Sequence, residues 1–547
     1  MLHSNGGFLE MGFEIKIVKM KRNKFFIGLI GIIFLSACSL ETDVYDYMPQ
    51  DKFPENEGQL ESITLGVYTE QRHLLDDWGW WLYAQEVSSD VLVFPQRGTD
   101  WEDGGKWRVL NRHTWTANAM AVQNMWRHIF YGVSAANQAL EYFQADTEVA
   151  AKARAEMNVL RSYLYYLLID NYGAVPYVDV FAGAEAFPFR NKREDIHNKL
   201  IQVVKEAIPY LPESGTVENH KISKGMAYML LGKLYLNGKV YKGEADFVKA
   251  DMDSAIVYMN KVIDLGYSLE AKRLAPFYAN NATSPEVIFS ILGDENADDG
   301  MRHNFRTMHT LHQQTYDLQS SPWNGCAIKP DFYENLFAAN DGFDNPNDIS
   351  TTNDEVVDQR SKAFLRGQQF DINGQPLADD NGSLVLTQEI KADVMNDASD
   401  GAAVTRFSGF RVVKYEVEIG SGPVMNNDFP VFRLADAYLM RAEATLRGGQ
   451  GANATADADL NIIRYAAGLP NEAATLDEVL NERGRELFME GHRRSDLVRF
   501  GKFAARNWWL GAPESDAGNH RLVFPVPQDQ LDANPNLASE PVSLELE

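Results

Sequence analysis

The chain runs to 547 residues, long enough for one large domain or several smaller ones, and its 45% hydrophobic content can fill a substantial core. Net charge is −26, and because residues 1–37 carry five Lys/Arg against two Glu (net +3), the remainder stands at −29. A body that acidic repels nucleic acid and anionic lipid, and two cysteines in the whole chain exclude a disulfide-built scaffold.

A short apolar run, Phe25 to Phe34, follows the basic cluster Lys21, Arg22 and Lys24 and precedes Leu35-Ser36-Ala37-Cys38. A basic end, an apolar middle and small residues before a cleavage point make an export signal. The run is shorter than the ~20 residues a bilayer span needs. With a cysteine at the cleavage point it resembles a bacterial lipoprotein signal, which implies lipidation of Cys38 and attachment to a membrane through that anchor. Residues 1–19 include Glu10 and Glu14 and do not suit such a leader, so Met20 makes the better start. A lipidated Cys38 leaves Cys326 without a disulfide partner in the chain.

Residues 38–57, polar with Pro49 and Pro54, read as a tether. A helix is predicted over 58–86, then a mostly non-helical stretch over 88–118 containing Pro95, Gly98, Gly104 and Gly105. Apolar spacing predicts helices over 119–144, over 148–170 with a stop at Gly173, and over 193–212 closed by Pro212. Residues 223–238 and 248–266 form a predicted pair. Small residues at Ala227 and Gly232 admit a neighbouring helix, and Tyr228, Leu231 and Tyr235 fill the gap. The same alternation returns at 431–447 and 456–467 and resembles tetratricopeptide repeats with irregular insertions. The longest irregular region, 291–430, is rich in Asp, Asn, Gly and Pro. Such long loops are usually functional or disordered, and Trp323, Phe332, Tyr333 and Phe337 argue against disorder around them.

Residues 479–503 are dense in charge. Glu482, Arg483, Glu486 and Glu490 precede a helix stop predicted at Gly491, and Arg493, Arg494 and Asp496 follow it on a second short helix. This pattern predicts a buried or half-buried ion network, which is structure rather than chemistry. Its wording resembles the C-terminal signature of the SusD/RagB family, Glu-Arg-x-x-Glu-Leu followed by Glu-Gly-x-Arg-x-x-Asp-Leu-x-Arg-x-Gly. The likeness extends to Phe429–Glu443, to Leu160–Pro176, to Phe524-Pro-Val-Pro527 and to Asn534-Pro-Asn536. The resemblance implies a mainly α fold, a right-handed superhelix of tetratricopeptide-like helix pairs with a long loop-rich ligand face. Residues 58–280 and 281–547 would be its two parts, packed as one globular unit. It further implies a non-catalytic, lipid-anchored, cell-surface lipoprotein of the outer membrane that captures oligosaccharide or polysaccharide and passes it to a SusC-like TonB-dependent transporter.

A neutral sugar is held by aromatic faces with polar groups at its edges. Seven of the ten Trp lie between Trp78 and Trp126. The loop from Val93 to Trp107 offers Trp101 and Trp107 beside Arg97, Asp100 and Glu102. In the family, the segment after an equivalent of Glu86-x-x-x-Asp90 supplies stacking aromatics. A second loop, Ser321-Pro-Trp-Asn-Gly325, resembles the Asn/Trp loop of the family's starch-binding founder. The expected ligand residues are therefore Trp323, Asn324, Trp101, Trp107, Arg97 and Asp100. Trp78, Trp80, Trp81 and Trp126 read as core, and the pattern leaves Trp115 open.

Other signals carry less. His309-x-x-His312 with His303 nearby lacks a carboxylate or Cys to complete a zinc set. Asp294–Gly300 starts like a calcium loop with its Gly one place late, and the Asp/Asn-rich 341–358 suits a structural Ca²⁺ or, better, turn chemistry. No cofactor and no other metal is expected. The competing readings are a transporter lid or scaffold with little glycan affinity, a peptide-binding member, and a glycoside hydrolase, for which no specific carboxylate pair stands out.

Overall fold

The computed structural model describes residues 57–544 apart from 77–78, 99, 182–186, 341–356, 381, 391–405, 505–507 and 509–520. The export signal, Cys38, almost all of the tether, Trp78 and most of the 341–358 segment lie outside those residues. The expected 58–86 helix is two. Helix α1, Glu57–Thr69, runs into a 3₁₀ turn, Glu70–Leu75, and α2 begins only at Trp81 and ends at Ser88. The break has a steric cause. A side chain on Gly79 would put its Cβ 2.3 Å from the His73 carbonyl, and Trp80 sits at φ +62°.

The scaffold helices follow their caps. Helix α3 is Met120–Tyr142 and α4 is Glu148–Tyr172. The Thr147 hydroxyl accepts the Ala150 amide at the start of α4, and Gly173 at φ +73° ends it. Then come α5 (Arg193–Ala207), α6 (Lys224–Leu236, capped by Ser223) and α7 (Lys249–Ile263). After the long irregular region come α8 (Leu434–Leu446), α9 (Ala456–Ala466) and α10 (Leu476–Leu487). Each packs on its neighbour, α3 on α4, α4 on α5, α6 on α7, α7 on α8, and α8 on both α9 and α10. The small-residue reading is visible at Gly232. A Cβ there would meet Met259 Cε at 2.3 Å and Met440 Cε at 3.2 Å, so three helices converge on one missing side chain.

The irregular region is one excursion from this scaffold. Its ends, β2 (Val287–Ile291) and β4 (Phe429–Arg433), pair antiparallel with Phe429 opposite Ile291 and Arg433 opposite Val287. The pairing of the ends offsets the entropy cost of closing a loop of that length. Inside it, short helices at His303–Thr307, His312–Tyr316 and Pro330–Leu336 are followed by two-residue strand pairs.

The charged C-terminal segment is buried. Arg433 reaches Glu286 (2.5 Å), Glu486 (3.0 Å) and Glu490 (2.7 Å). Arg273 reaches Glu286 (2.8 Å) and Glu486 (2.5 Å), Arg360 reaches Glu482 (2.6 Å) and Glu486 (3.0 Å), and Lys414 reaches Glu490 (2.6 Å). Burial alone would raise the Glu486 carboxyl, but Arg273, Arg433, Arg360 and Lys414 hold it well below the usual carboxylate range. This network ties α2 to the C-terminus. Arg493 grips Asp90 with two nitrogens at 2.9 Å each, and the Gly491 amide donates to Glu86 Oε1 at 2.7 Å. A Cβ on Gly491 would strike the Trp81 ring at 2.4 Å, so α2 lies directly on that glycine.

Arg433→Met strips a buried cation from three carboxylates and should cost about 3–5 kcal/mol in equilibrium denaturation; a loss below about 1 kcal/mol would contradict the network's role. Burial raises the Glu86 carboxyl to about 7, against partial opposition from the Gly491 and Met489 amides and Lys414. The folded state therefore prefers the protonated acid. Its contribution is fully present below the unfolded carboxyl range and is lost as pH rises through about 7. Glu86→Gln should become more stable than the parent by a few kcal/mol between pH 5 and pH 8; a stability difference independent of pH would refute this.

Candidate functional site

From the seated end of α2 the chain enters β1, Leu92–Val93, which pairs with β3, Ala327–Ile328, with Leu92 opposite Ile328 and Val93 opposite Ala327. Lys329 locks the junction. Its amide donates to Val91 O (2.8 Å) and its ammonium to Val87 O (3.0 Å) and Ser89 O (2.5 Å). This pairing places the loop after β1 against the loop before β3, the two segments singled out for their tryptophans.

Between them most polar side chains are spent on main-chain groups. Arg97 is buried, with Nε donating to Gly325 O (3.0 Å) and Nη1 to Ser408 O (3.1 Å). Asn324 is buried at φ +53°, its Oδ1 accepting from Arg411 Nη2 (2.8 Å) and its Nδ2 donating to Arg406 O (3.2 Å). The Trp323 amide donates to Phe305 O (2.7 Å) and the Gly325 amide to Arg306 O (2.7 Å). Trp101 Nε1 donates to Trp323 O (2.9 Å), and its ring covers Gly325, where a Cβ would lie 2.5 Å from Trp101 Cζ2. Glycine is required there by the approach of the indole.

What remains for solvent is Trp323. It is 37% exposed, set edge-on to Phe305 at 6.0 Å and 5.2 Å from the Arg306 guanidinium. Arg306 is fixed in turn by the fully buried Asp76, through Nε (3.0 Å) and Nη2 (2.6 Å), and Asp76 also pairs with Arg302. The short helix His312–Tyr316 ahead of this loop is bonded to residues 370–372, with Thr315 Oγ1 donating to Phe370 O (2.7 Å) and the Ile372 amide to Gln314 O (2.9 Å), and to the 420 turn, where the Gly420 amide donates to Tyr316 O (2.9 Å). An exposed aromatic ring braced by an arginine can hold a flat, hydroxylated ring by its face.

The six expected ligand residues are brought together but not to one surface. Trp323 and Asp100 are exposed and Trp101 is half-buried. Asp100 closes a tight turn with Arg97 through main-chain bonds of 3.0 and 3.2 Å. Three expectations are corrected. Trp107 is in the core, stacked on Phe94 at 3.7 Å with Trp80 at 4.4 Å and its Nε1 donating to Asp103. Asn324 and Arg97 face the backbone behind the platform and position the loop instead of lining it. Trp115 is buried against Phe524 at 4.7 Å. Arg306, Arg302 and Asp76 were missed as part of this site, because the pairing of Asp76 with Arg306 spans 230 residues and leaves no local pattern.

The histidines are structural. His312 Nδ1 accepts the His309 amide (2.9 Å) and its Nε2 meets Gln369 Oε1 (3.1 Å), so both ring nitrogens are engaged. Burial pushes the imidazoles down, to about 3 for His309 and about 4 for His312 and His303, and keeps them neutral. In the calcium-like segment, Asp294 Oδ1 accepts the Asn296 amide (3.0 Å) in an Asx turn, and Asp299 faces Arg72 at 3.7 Å. Among the described residues no group of three or more His, Cys, Asp or Glu is arranged to hold a metal ion, and no helix is long and apolar enough to cross a membrane.

Residues 285–542 match the model of the SusD family, and residues 60–236 match a model described as starch-binding associating with outer membrane. The starch-binding protein SusD of Bacteroides thetaiotaomicron is 25% identical over 466 residues, covering 80% of this chain and 81% of that protein. Surface glycan-binding protein A of the same organism, solved with laminarihexaose, superposes with a TM-score of 0.65 at 20% identity over 87% of this chain and 97% of that one. A laminarin-binding SusD-like protein superposes at 0.67 with 22% identity over 88% and 98%. A SusD-like protein of Bacteroides fragilis superposes at 0.67 with 19% identity over 89% and 97%. These structures share the helical, tetratricopeptide-like fold. The chain belongs to the SusD family.

Proposed function

We propose that this protein is a non-catalytic glycan-capture lipoprotein of the outer membrane, anchored through Cys38, exposed at the cell surface, and handing oligosaccharide or polysaccharide to a SusC-like TonB-dependent transporter. The observation that carries the reading is Trp323, a large aromatic ring left partly in solvent beside Asn324, whose amide is spent on the Arg406 carbonyl and the Arg411 guanidinium. A platform fixed before the ligand arrives loses little entropy on binding. The reading is supported by the starch-binding name of the curated relative, by the laminarihexaose bound to surface glycan-binding protein A, and by the outer-membrane association in the description of the N-terminal family match. The lipoprotein-like leader supports the anchor.

Affinity electrophoresis of residues 39–547 through gels of different polysaccharides tests it. At least one polysaccharide should retard the protein, and Trp323→Ala should weaken its binding about tenfold or more without changing the melting temperature. Equal retardation of parent and variant would remove Trp323 from the site. Gly325→Ala should weaken binding by a separate route, since its methyl group displaces Trp101 from beneath the Trp323 carbonyl. Its affinity should fall together with a shift in tryptophan emission; unaltered emission and affinity would show that the loop does not depend on that contact.

A further inference from the structure

A second aromatic groove lies between α3, the segment leading to α5, and the C-terminal tail. It is a cavity of about 430 Å³ lined in part by Trp126, Phe130, Tyr131, Phe187, Arg127 and Gln530, within the size range of small-molecule sites. It shares no residue with the surface around Trp323.

The groove is built. Trp126 and Phe130 stand one turn apart on α3, with ring centroids 4.8 Å apart, and Trp126 meets Tyr172 edge-on at 5.0 Å. Phe187 is held from the C-terminal tail, where Asn536 Nδ2 donates to its carbonyl (2.7 Å) and Asn534 Nδ2 to Pro188 O (2.8 Å). Arg127 is braced by Asp529 Oδ2 (3.0 Å) and Asn124 Oδ1 (3.3 Å). Two large rings nevertheless stay in solvent, Tyr131 at 52% and Phe187 at 57% exposure. Asp529 Oδ1 is shielded from solvent and accepts no hydrogen bond among the described residues.

We infer that this groove is a second saccharide site, taking an uncharged glycosyl unit between Tyr131 and Phe187 with its hydroxyls on the Arg127 and Gln530 edge. Exposed ring faces bordered by a guanidinium and side-chain amides match a sugar, which presents C–H faces and a girdle of hydroxyls that both donate and accept. A purely apolar anchor would shield those polar groups without pairing them, at a cost in affinity. The bound unit is uncharged because Arg127 is already neutralised by Asp529. The inference rests on the glycan-capture reading but uses none of its residues.

Four forms of residues 39–547 should be run through gels of laminarin, starch, xylan and galactomannan. They are the parent, Trp323→Ala, the pair Tyr131→Ala with Phe187→Ala, and all three changes combined. Both groove aromatics are exposed, so the pair should keep the parent's circular dichroism. In a gel that retards the parent, the groove pair should bind about threefold to tenfold more weakly. Trp323→Ala should keep residual retardation that the triple variant loses. A groove pair indistinguishable from the parent in every gel would overturn the inference, leave capture at Trp323 standing, and assign the groove, with the exposed Phe181 and Phe189 of the same segment, to a protein partner. Loss of binding in the groove pair alone, with Trp323→Ala unaffected, would support the groove and overturn the first site. Failure of all four gels to retard the parent would overturn both for neutral glycans.

Discussion

The clasp between α2 and the C-terminal charged segment governs the rest of the structure. Arg493 on Asp90 and the Gly491 amide on Glu86 join residues more than 400 positions apart. With α2 seated, β1 emerges at a fixed height and pairs with β3. That single two-residue ladder decides which side chains of the two tryptophan loops face inward and which face out. A slip of one residue would exchange Val93 and Phe94 and turn the platform over. The ion network behind the clasp is expensive to desolvate. An apolar core of equal volume could be as stable, so its value lies in specifying one arrangement of distant segments.

The site divides its labour between polar and apolar groups. Arg97 and Asn324 saturate carbonyls of neighbouring segments, Arg411 those of its own, and Lys329 those at the end of α2. The large aromatic ring left facing solvent on this support is Trp323. Rigidity is thus supplied from beneath, and the presented surface stays open to different ligand shapes. Selectivity among ligands then depends on the flanking loops, which hang from the scaffold by a few main-chain bonds and can vary without disturbing it.

The helical scaffold was legible because its signals are local. The stop at Gly173 and small positions such as Gly232 sit where the spacing placed them. The charge density of 479–503 predicted an ion network, and Trp323 proved to be on the surface. The misread residues share one cause. Trp101 and Trp107 look alike in sequence, yet Trp107 stacks on Phe94 in the core while Trp101 reaches across to Trp323 O. Asn324 reads as a sugar ligand until Arg411, 87 residues away, is found on its carbonyl oxygen. The break in the first predicted helix follows from the crowding of Gly79 against the His73 carbonyl, which apolar periodicity does not register.

The most direct measurement is a crystal structure of residues 39–547 with an oligosaccharide of whichever polysaccharide retards the protein in gels. The account predicts a sugar ring lying face-on against Trp323, with carbon contacts at about 4 Å, while Arg97 and Asn324 keep their backbone partners. A sugar bound through Asn324 or Arg97, or bound elsewhere with Trp323 still in solvent, would contradict it.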